Sequence, residues 1–331
     1  MAPLEGSEVT LDTFIFVDVD GVLNCGVRDD RGAPILLMEE NIEMARKLTR
    51  VNYTGVDSKC VETIQEVANR QIGHGEQEEV TYETLATEGR SFDLSEVLVS
   101  RLAKLIDAAG SRTQVILSSS WRQPRQRPRR MRLEERLSAH LKRVFQFDST
   151  TPLDAEESCP ADRLRVVGDY LGDICTARGP QAPPLRVLVL EDFFVNPLNG
   201  WKCGGAVIDS VAAAEQYLHS IAQPKSSQRL EVKLVHTYEE WLSPTGAHIQ
   251  IGCGLLEQPC IEAFDFLTAP ARAPQVGPRT ASEIAMVAAC FHLGKERFAE
   301  ARKAPSWSQR VTDLLPMIRP SRHTMWKVVS L

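Results

Sequence analysis

Two carboxylates, Asp18 and Asp20, stand two residues apart, directly after the apolar run TFIFV at 13–17 and directly before Gly21. On an extended strand end, residues i and i+2 point the same way, so both side chains can face one site. One can then attack phosphorus while the other handles a proton. A carboxylate is a competent nucleophile toward a phosphoryl group if a hard cation offsets the repulsion between two anions. Magnesium suits that task, because it is held by few carboxylates and several waters. An Asp-x-Asp-Gly run also occurs in calcium loops, but no further ligands follow here at EF-hand spacing, and an apolar strand precedes it. Two other apolar runs also stop at polar residues: residues 114–117 end in Ser118-Ser119-Ser120, and residues 185–190 (LRVLVL) end in Glu191-Asp192.

Elements that would position these groups are visible along the chain. Helical patterns are predicted at 39–48 and 59–72, and a stripe of Leu94, Val97, Leu98, Leu102, Leu105 and Ile106 is closed by Gly110. Pro124 and Pro128 are expected to prevent a regular helix immediately after the second strand, with a helix at 131–143 and a short strand at 144–147. Another helix opens at Pro160 and runs to about residue 171, and further helices are predicted at 210–221, 257–267 and 282–302. Strands are predicted at 231–236 and 248–251. Strands alternating with helices imply an α/β fold, a three-layer, doubly wound parallel sheet whose ligands bind at the carboxyl ends of the strands. Residues 28–91 break the alternation and are read as an insertion.

The segment FIFVDVDGVLN resembles motif one of the haloacid dehalogenase-like hydrolases, and VILSSSWR resembles their motif two. ADRLRVVGDYL is similar to the helix that carries their basic motif three, and LRVLVLEDFF to the strand and acidic pair of motif four. The resemblance implies Asp18 as nucleophile and metal ligand, and Asp20 as general acid and base that also contacts the metal through its backbone carbonyl. It implies Ser118, with Ser119 as the alternative, for phosphate binding, and Arg163, with Arg165 second, as the neutralising cation. Glu191 and Asp192 would complete the metal site; the related subgroup usually carries Asp-Asp, so Glu191 is a departure and Asp192 the safer ligand. The likeness spans residues 11–27, 92–196 and, less closely, 246–268. It implies a catalytic core of 11–27 plus 92–268 with an insertion at 200–245, a cap-like insertion at 28–91, and a helical C-terminal extension at 269–331. The implied reaction is Mg2+-dependent phosphomonoester hydrolysis through an aspartyl-phosphate, on a phosphorylated small molecule.

Rival readings come from other features. Arg122, Arg125, Arg127, Arg129, Arg130, Arg132, Arg136, Lys142 and Arg143 crowd the stretch after Trp121, and the SSSWR form is like that of domains found beside RNA-repair modules. A nucleic-acid end is therefore an alternative substrate, and a catalytically weak phosphate-binding or scaffolding module is the alternative to an enzyme. A net charge of −6 over 331 residues implies no general polyanion coat. The cysteines include no C-x-x-C pair, and the histidines occur without a second ligand at metal spacing, so zinc is not expected. The amino terminus lacks a signal-like apolar region and no run approaches a membrane span, so a cytoplasmic protein with no membrane partner is expected.

Overall fold

The computed structural model describes residues 12–28, 34–55, 58–88, 93–153, 160–178, 182–192, 201–203, 206–222, 229–243, 246 and 248–270. The helix predicted at 282–302, and all but the first two residues of the proposed extension at 269–331, lie outside the described residues. The chain begins with β1 (Asp12–Val17), the strands β2 (Gly26–Arg28) and β3 (Pro34–Leu36), and helices α1 (Glu39–Arg50), α2 (Ser58–Ala68), α3 (Tyr82–Thr87) and α4 (Glu96–Ala108). Next come β4 (Thr113–Leu117), α5 (Arg127–Leu141), β5 (Ser149–Thr150), α6 (Pro160–Arg178) and β6 (Leu185–Glu191). The hairpin of β7 (Trp201–Cys203) and β8 (Ala206–Ile208) precedes α7 (Val211–Ala222), β9 (Leu230–His236), β10 (Tyr238–Leu242), β11 (His248–Gly252) and α8 (Glu257–Thr268).

The main sheet has the order β5-β4-β1-β6-β9, and every pair in it is parallel. Both faces are covered, which is why β1 and β6 read as unbroken apolar runs rather than alternating ones. Phe14, Phe16, Ile116, Val187, Val189 and Leu234 pack on one face against Leu164, Leu171 and Leu218 of α6 and α7. Ile15, Val17, Leu117, Leu188 and Leu190 pack on the other against α4, α5 and α8. The strand succession places β4 and β6 on opposite sides of β1, so the connections diverge there and open a crevice at its carboxyl end. The fold is thus α/β with a parallel sheet between helical layers.

Several expectations change. Pro128 does not delay the helix, because it sits in the first turn of α5, where a missing N–H costs nothing. Residues 144–147 form no strand: β5 lies just beyond, and the apolar character there comes from the edge-to-face pair Phe145 and Phe147. The range 200–245 is not one insertion, since β9 completes the main sheet and α7 packs on it. β11 is not a parallel strand of the main sheet. It lies in an antiparallel sheet of order β10-β11-β2-β3, so the region from residue 28 onward is tied to the far end of the chain. Residues of α1, α2 and α3, including Ile42, Ile64 and Leu85, share one apolar cluster with Leu98 and Leu102 of α4.

Arg101 of α4 fixes this region further. Its guanidinium binds both oxygens of Glu76 at 2.6 and 2.8 Å, Glu257 at 3.1 Å and the Leu255 carbonyl at 3.1 Å. Side chains at Glu76 and Arg101 are 5% and 10% exposed, so removing one partner strands the other in a poorly solvated place. The Glu76→Ala substitution is expected to cost about 3 kcal/mol in urea unfolding; a loss under about 1 kcal/mol would mean that the 71–81 loop is held by other contacts.

Candidate functional site

Asp18 follows the last residue of β1, Ser118 follows β4, and Glu191 ends β6, with Asp192 next. Carrying the strand register one residue beyond Val17–Leu117 and Val17–Leu190 puts Ser118, Asp18 and Glu191 in one row. Paired residues of parallel strands point to the same face, so this row faces α6. Arg163, in the first turns of α6, meets it there: its Nη2 lies 2.6 Å from Asp18 Oδ2 and 2.5 Å from Glu191 Oε1, and its Nη1 3.5 Å from Asp192 Oδ1. Asp192 also takes a 3.0 Å hydrogen bond from Arg28 of β2.

One carboxylate oxygen from each of Asp18, Glu191 and Asp192 lies within 4.8 Å of the other two, and all three residues are buried. Burial is the main reason that Asp192 is pushed up to about 7, against the pull of Arg28 and with the charge of Asp18 adding to it. Burial likewise drives Glu191 well above the ordinary carboxylate range, although Arg163 opposes it, and Asp18 and Asp192 reinforce it. Burial works against the charge of Arg163, but Asp18, Glu191 and Asp192 together raise its pKa well above the usual value. Asp18 Oδ2, Glu191 Oε1 and Asp192 Oδ1 have no hydrogen-bond partner despite their closeness to Arg163. Buried all-oxygen donors of this kind, short of positive charge, fit a hard divalent cation.

Asp20 is held differently. Its carboxylate accepts from Asn24 Nδ2 at 3.1 Å and from Trp121 Nε1 at 3.0 Å, and it lies outside the three-carboxylate cluster. Burial first, then the charge of Asp18, raises its pKa; Asn24, Arg129 and Trp121 pull the other way. Arg129 covers the Trp121 ring at 4.1 Å and pairs with Asp93 at 2.5 Å, while Asn24 also binds the Asp93 carbonyl at 3.0 Å. A closed circuit therefore fixes the rotamer of Asp20.

The loop between β1 and β2 needs two glycines. Gly21 has φ +78°, and a Cβ there would sit 2.2 Å from Asp192 Oδ2; a Cβ on Gly252 would fall 2.6 Å from the Gly21 Cα. Thr237 Oγ1 and Gly254 N both donate to the Gly21 carbonyl, at 2.7 and 3.0 Å.

The two serines separate by their partners. Ser119 caps the following turn by accepting from Trp121 N at 3.3 Å, whereas the buried Ser118 Oγ has no partner. Arg165 pairs with Asp169 along α6 at 3.5 Å and is not brought to the cluster. Sequence reasoning missed Arg28, Asn24 and Trp121 as site residues, although Asn24 and Trp121 lie inside the two motifs that signalled the site. Of the basic stretch, Arg122 is buried and donates to the Ser118 and Ser119 carbonyls at 2.9 and 2.7 Å. Arg129 and Arg132 pair with Asp93, Arg130 with Glu134, Arg136 with Glu96 and Arg143 with Asp107. Arg127 and Arg130 line a cleft of about 390 Å³ that also presents Glu134 and Glu135.

Family models, curated proteins and solved structures offer no match to this chain. Among the described residues no helix is long and apolar enough to cross a membrane.

The raised pKa values fix the sign of a pH effect. Unfolded Asp and Glu ionise near pH 4, whereas folded Asp192 keeps its proton up to about 7. The folded state then binds more protons across that window, so stability falls as pH rises from about 4 to about 7. In chelator, the urea midpoint is expected to drop between pH 5 and pH 8; the drop shrinks in Asp192→Asn and in saturating magnesium. A midpoint that rises over this range, in wild type and variant alike, would show that the cluster carries no such burden.

Proposed function

We propose that this chain is a magnesium-dependent phosphomonoester hydrolase that works in the manner of the haloacid dehalogenase-like enzymes. The observation that carries the reading is a set of buried oxygens at the carboxyl edge of a parallel sheet: Ser118 Oγ, which has no partner, and Asp18 Oδ2, Glu191 Oε1 and Asp192 Oδ1, which share the one guanidinium of Arg163. Such atoms cost stability unless a ligand satisfies them. The proposed ligands are a divalent cation on the carboxylates and a phosphate on Ser118 and Arg163.

In this mechanism an Asp18 carboxylate oxygen attacks phosphorus, the bond from phosphorus to the ester oxygen breaks, and Asp20 gives that oxygen its proton. Water then attacks the aspartyl-phosphate, Asp20 takes the water proton, and Asp18 leaves as a free carboxylate. Ser118 Oγ donates to one phosphoryl oxygen, and Arg163 neutralises the phosphate and its attacker together. When bound, magnesium supplies positive charge against the repulsion between the nucleophile and the phosphate. Asp20 suits proton transfer because its burial favours the protonated form, while Trp121 and Asn24 hold its oxygens in place.

Hydrolysis of p-nitrophenyl phosphate should require magnesium and should fall on the order of 10⁴-fold in Asp18→Asn. Turnover that persists at the wild-type rate in that variant would sink the reading. The Asp20→Asn change should cost about 10²–10⁴-fold on alkyl phosphates and less on p-nitrophenyl phosphate, whose leaving group needs little protonation. Trp121→Phe keeps an aromatic ring but removes the N–H together with part of the indole, and should show the same leaving-group bias to a smaller degree, in kcat rather than KM. Equal losses on both substrates would show that Trp121 acts only in packing.

A further inference from the structure

Continuing the row of polar side chains one strand further leads to Thr151. Leu117 of β4 pairs with Thr150 of β5, and Thr151 N donates to the Leu117 carbonyl at 3.1 Å, so Thr151 stands in register with Ser118. The row of register partners thus runs Thr151, Ser118, Asp18, Glu191 and, on β9, His236, with Thr151, Ser118, Asp18 and Glu191 directed to the α6 face. Thr151 is 1% exposed, and its Oγ1 has no hydrogen-bond partner. Among the described residues, six of the eleven buried polar atoms without a partner belong to this row and its neighbours: those of Thr151, Ser118, Asp18, Glu191, Asp192 and Arg163. A threonine hydroxyl has ready alternatives in local backbone bonds, so an unpaired one beside Ser118 points to a ligand.

The strand ends that carry Ser118 and Thr151 are fixed to each other. Arg122 donates to the carbonyls of Ser118 and Ser119 and, at 3.4 Å, to that of Pro152. This guanidinium bridges the two chain segments just past β4 and β5, whose backbones lie one strand spacing apart, about 4.8 Å. The row is also chemically divided: carboxylates stand on β1 and β6, and hydroxyl donors on β4 and β5.

We propose that Thr151 Oγ1 binds a second anionic group of the substrate, one strand spacing from the phosphoryl oxygen held by Ser118. This inference rests on the phosphate-site reading given above and narrows it to phosphomonoesters whose leaving group bears a further phosphoryl or carboxylate group near the ester. A simple aryl phosphate leaves Thr151 unused.

The test is calorimetric binding of orthophosphate and of imidodiphosphate, a diphosphate analogue, at matched free magnesium. Wild type, Thr151→Val and Thr151→Ser are compared. Thr151→Val exchanges a hydroxyl for a methyl, removes an unsatisfied buried group and should leave urea stability unchanged or higher. Wild type should bind imidodiphosphate more tightly than orthophosphate. Thr151→Val should weaken imidodiphosphate about tenfold and orthophosphate less than about twofold, with Thr151→Ser restoring most of the loss. If wild type binds both anions and Thr151→Val alters neither, or weakens both equally, the second-anion role is wrong while the phosphate site stands. If wild type binds neither, the phosphate site fails and this inference fails with it.

Discussion

Asp18, Glu191 and Asp192 repel one another in a volume that water scarcely reaches, and much of the architecture answers that repulsion. The sheet itself creates the problem: residues at the ends of adjacent parallel strands stand about 4.8 Å apart, so acids on β1 and β6 become neighbours as soon as the strands pair. Two guanidiniums reply from outside the sheet, Arg163 from α6 and Arg28 from β2. Their combined charge is smaller than that of four ionised carboxylates, counting Asp20. Burial accordingly raises the pKa values of Glu191, Asp192 and Asp20, and a divalent cation on the cluster would oppose that shift.

How far the sequence foretold this depends on the range of the interaction involved. Strands β1, β4 and β6 were legible because a strand buried on both faces reads as an apolar run, and a run that stops at polar residues marks a carboxyl end. Glu191 was the doubtful ligand by its extra methylene, and the structure turns its Oε1 inward, toward Arg163. Arg28 was not legible. It reaches Asp192 only because β2 pairs with β11, a contact between residues more than 200 positions apart that leaves no periodic signal in either segment. Trp121 was read as part of a motif but not as a partner of Asp20, since nothing local indicates a bond across 101 residues.

The basic stretch has partners within the fold that its linear sequence does not show. Counting charges along residues 122–143 suggests an exposed cationic face. In the fold, Asp93, Glu96, Asp107 and Glu134 meet its arginines, three of them from segments outside the stretch. Arg122 became a backbone clamp and Arg129 a lid on Trp121. Linear charge density cannot distinguish a surface that awaits a polyanion from one already paired across the fold.

Asp18 and Asp20 show how one residue type acquires two environments two positions apart. Asp18 stands at the strand end, in the row with Ser118 and Glu191, where its Oδ2 has a cation nearby but no hydrogen-bond donor aligned with it. Asp20 stands in the turn at Gly21, where Asn24 and Trp121 occupy both of its oxygens and burial favours its protonated form. In the proposed reaction the first environment would serve the bond to phosphorus and the second the transfer of a proton along a fixed direction. The left-handed turn at Gly21 separates the two environments. Any side chain at position 21 would strike Asp192, so the separate environments of the aspartates and the closeness of the acidic cluster depend on the same missing Cβ.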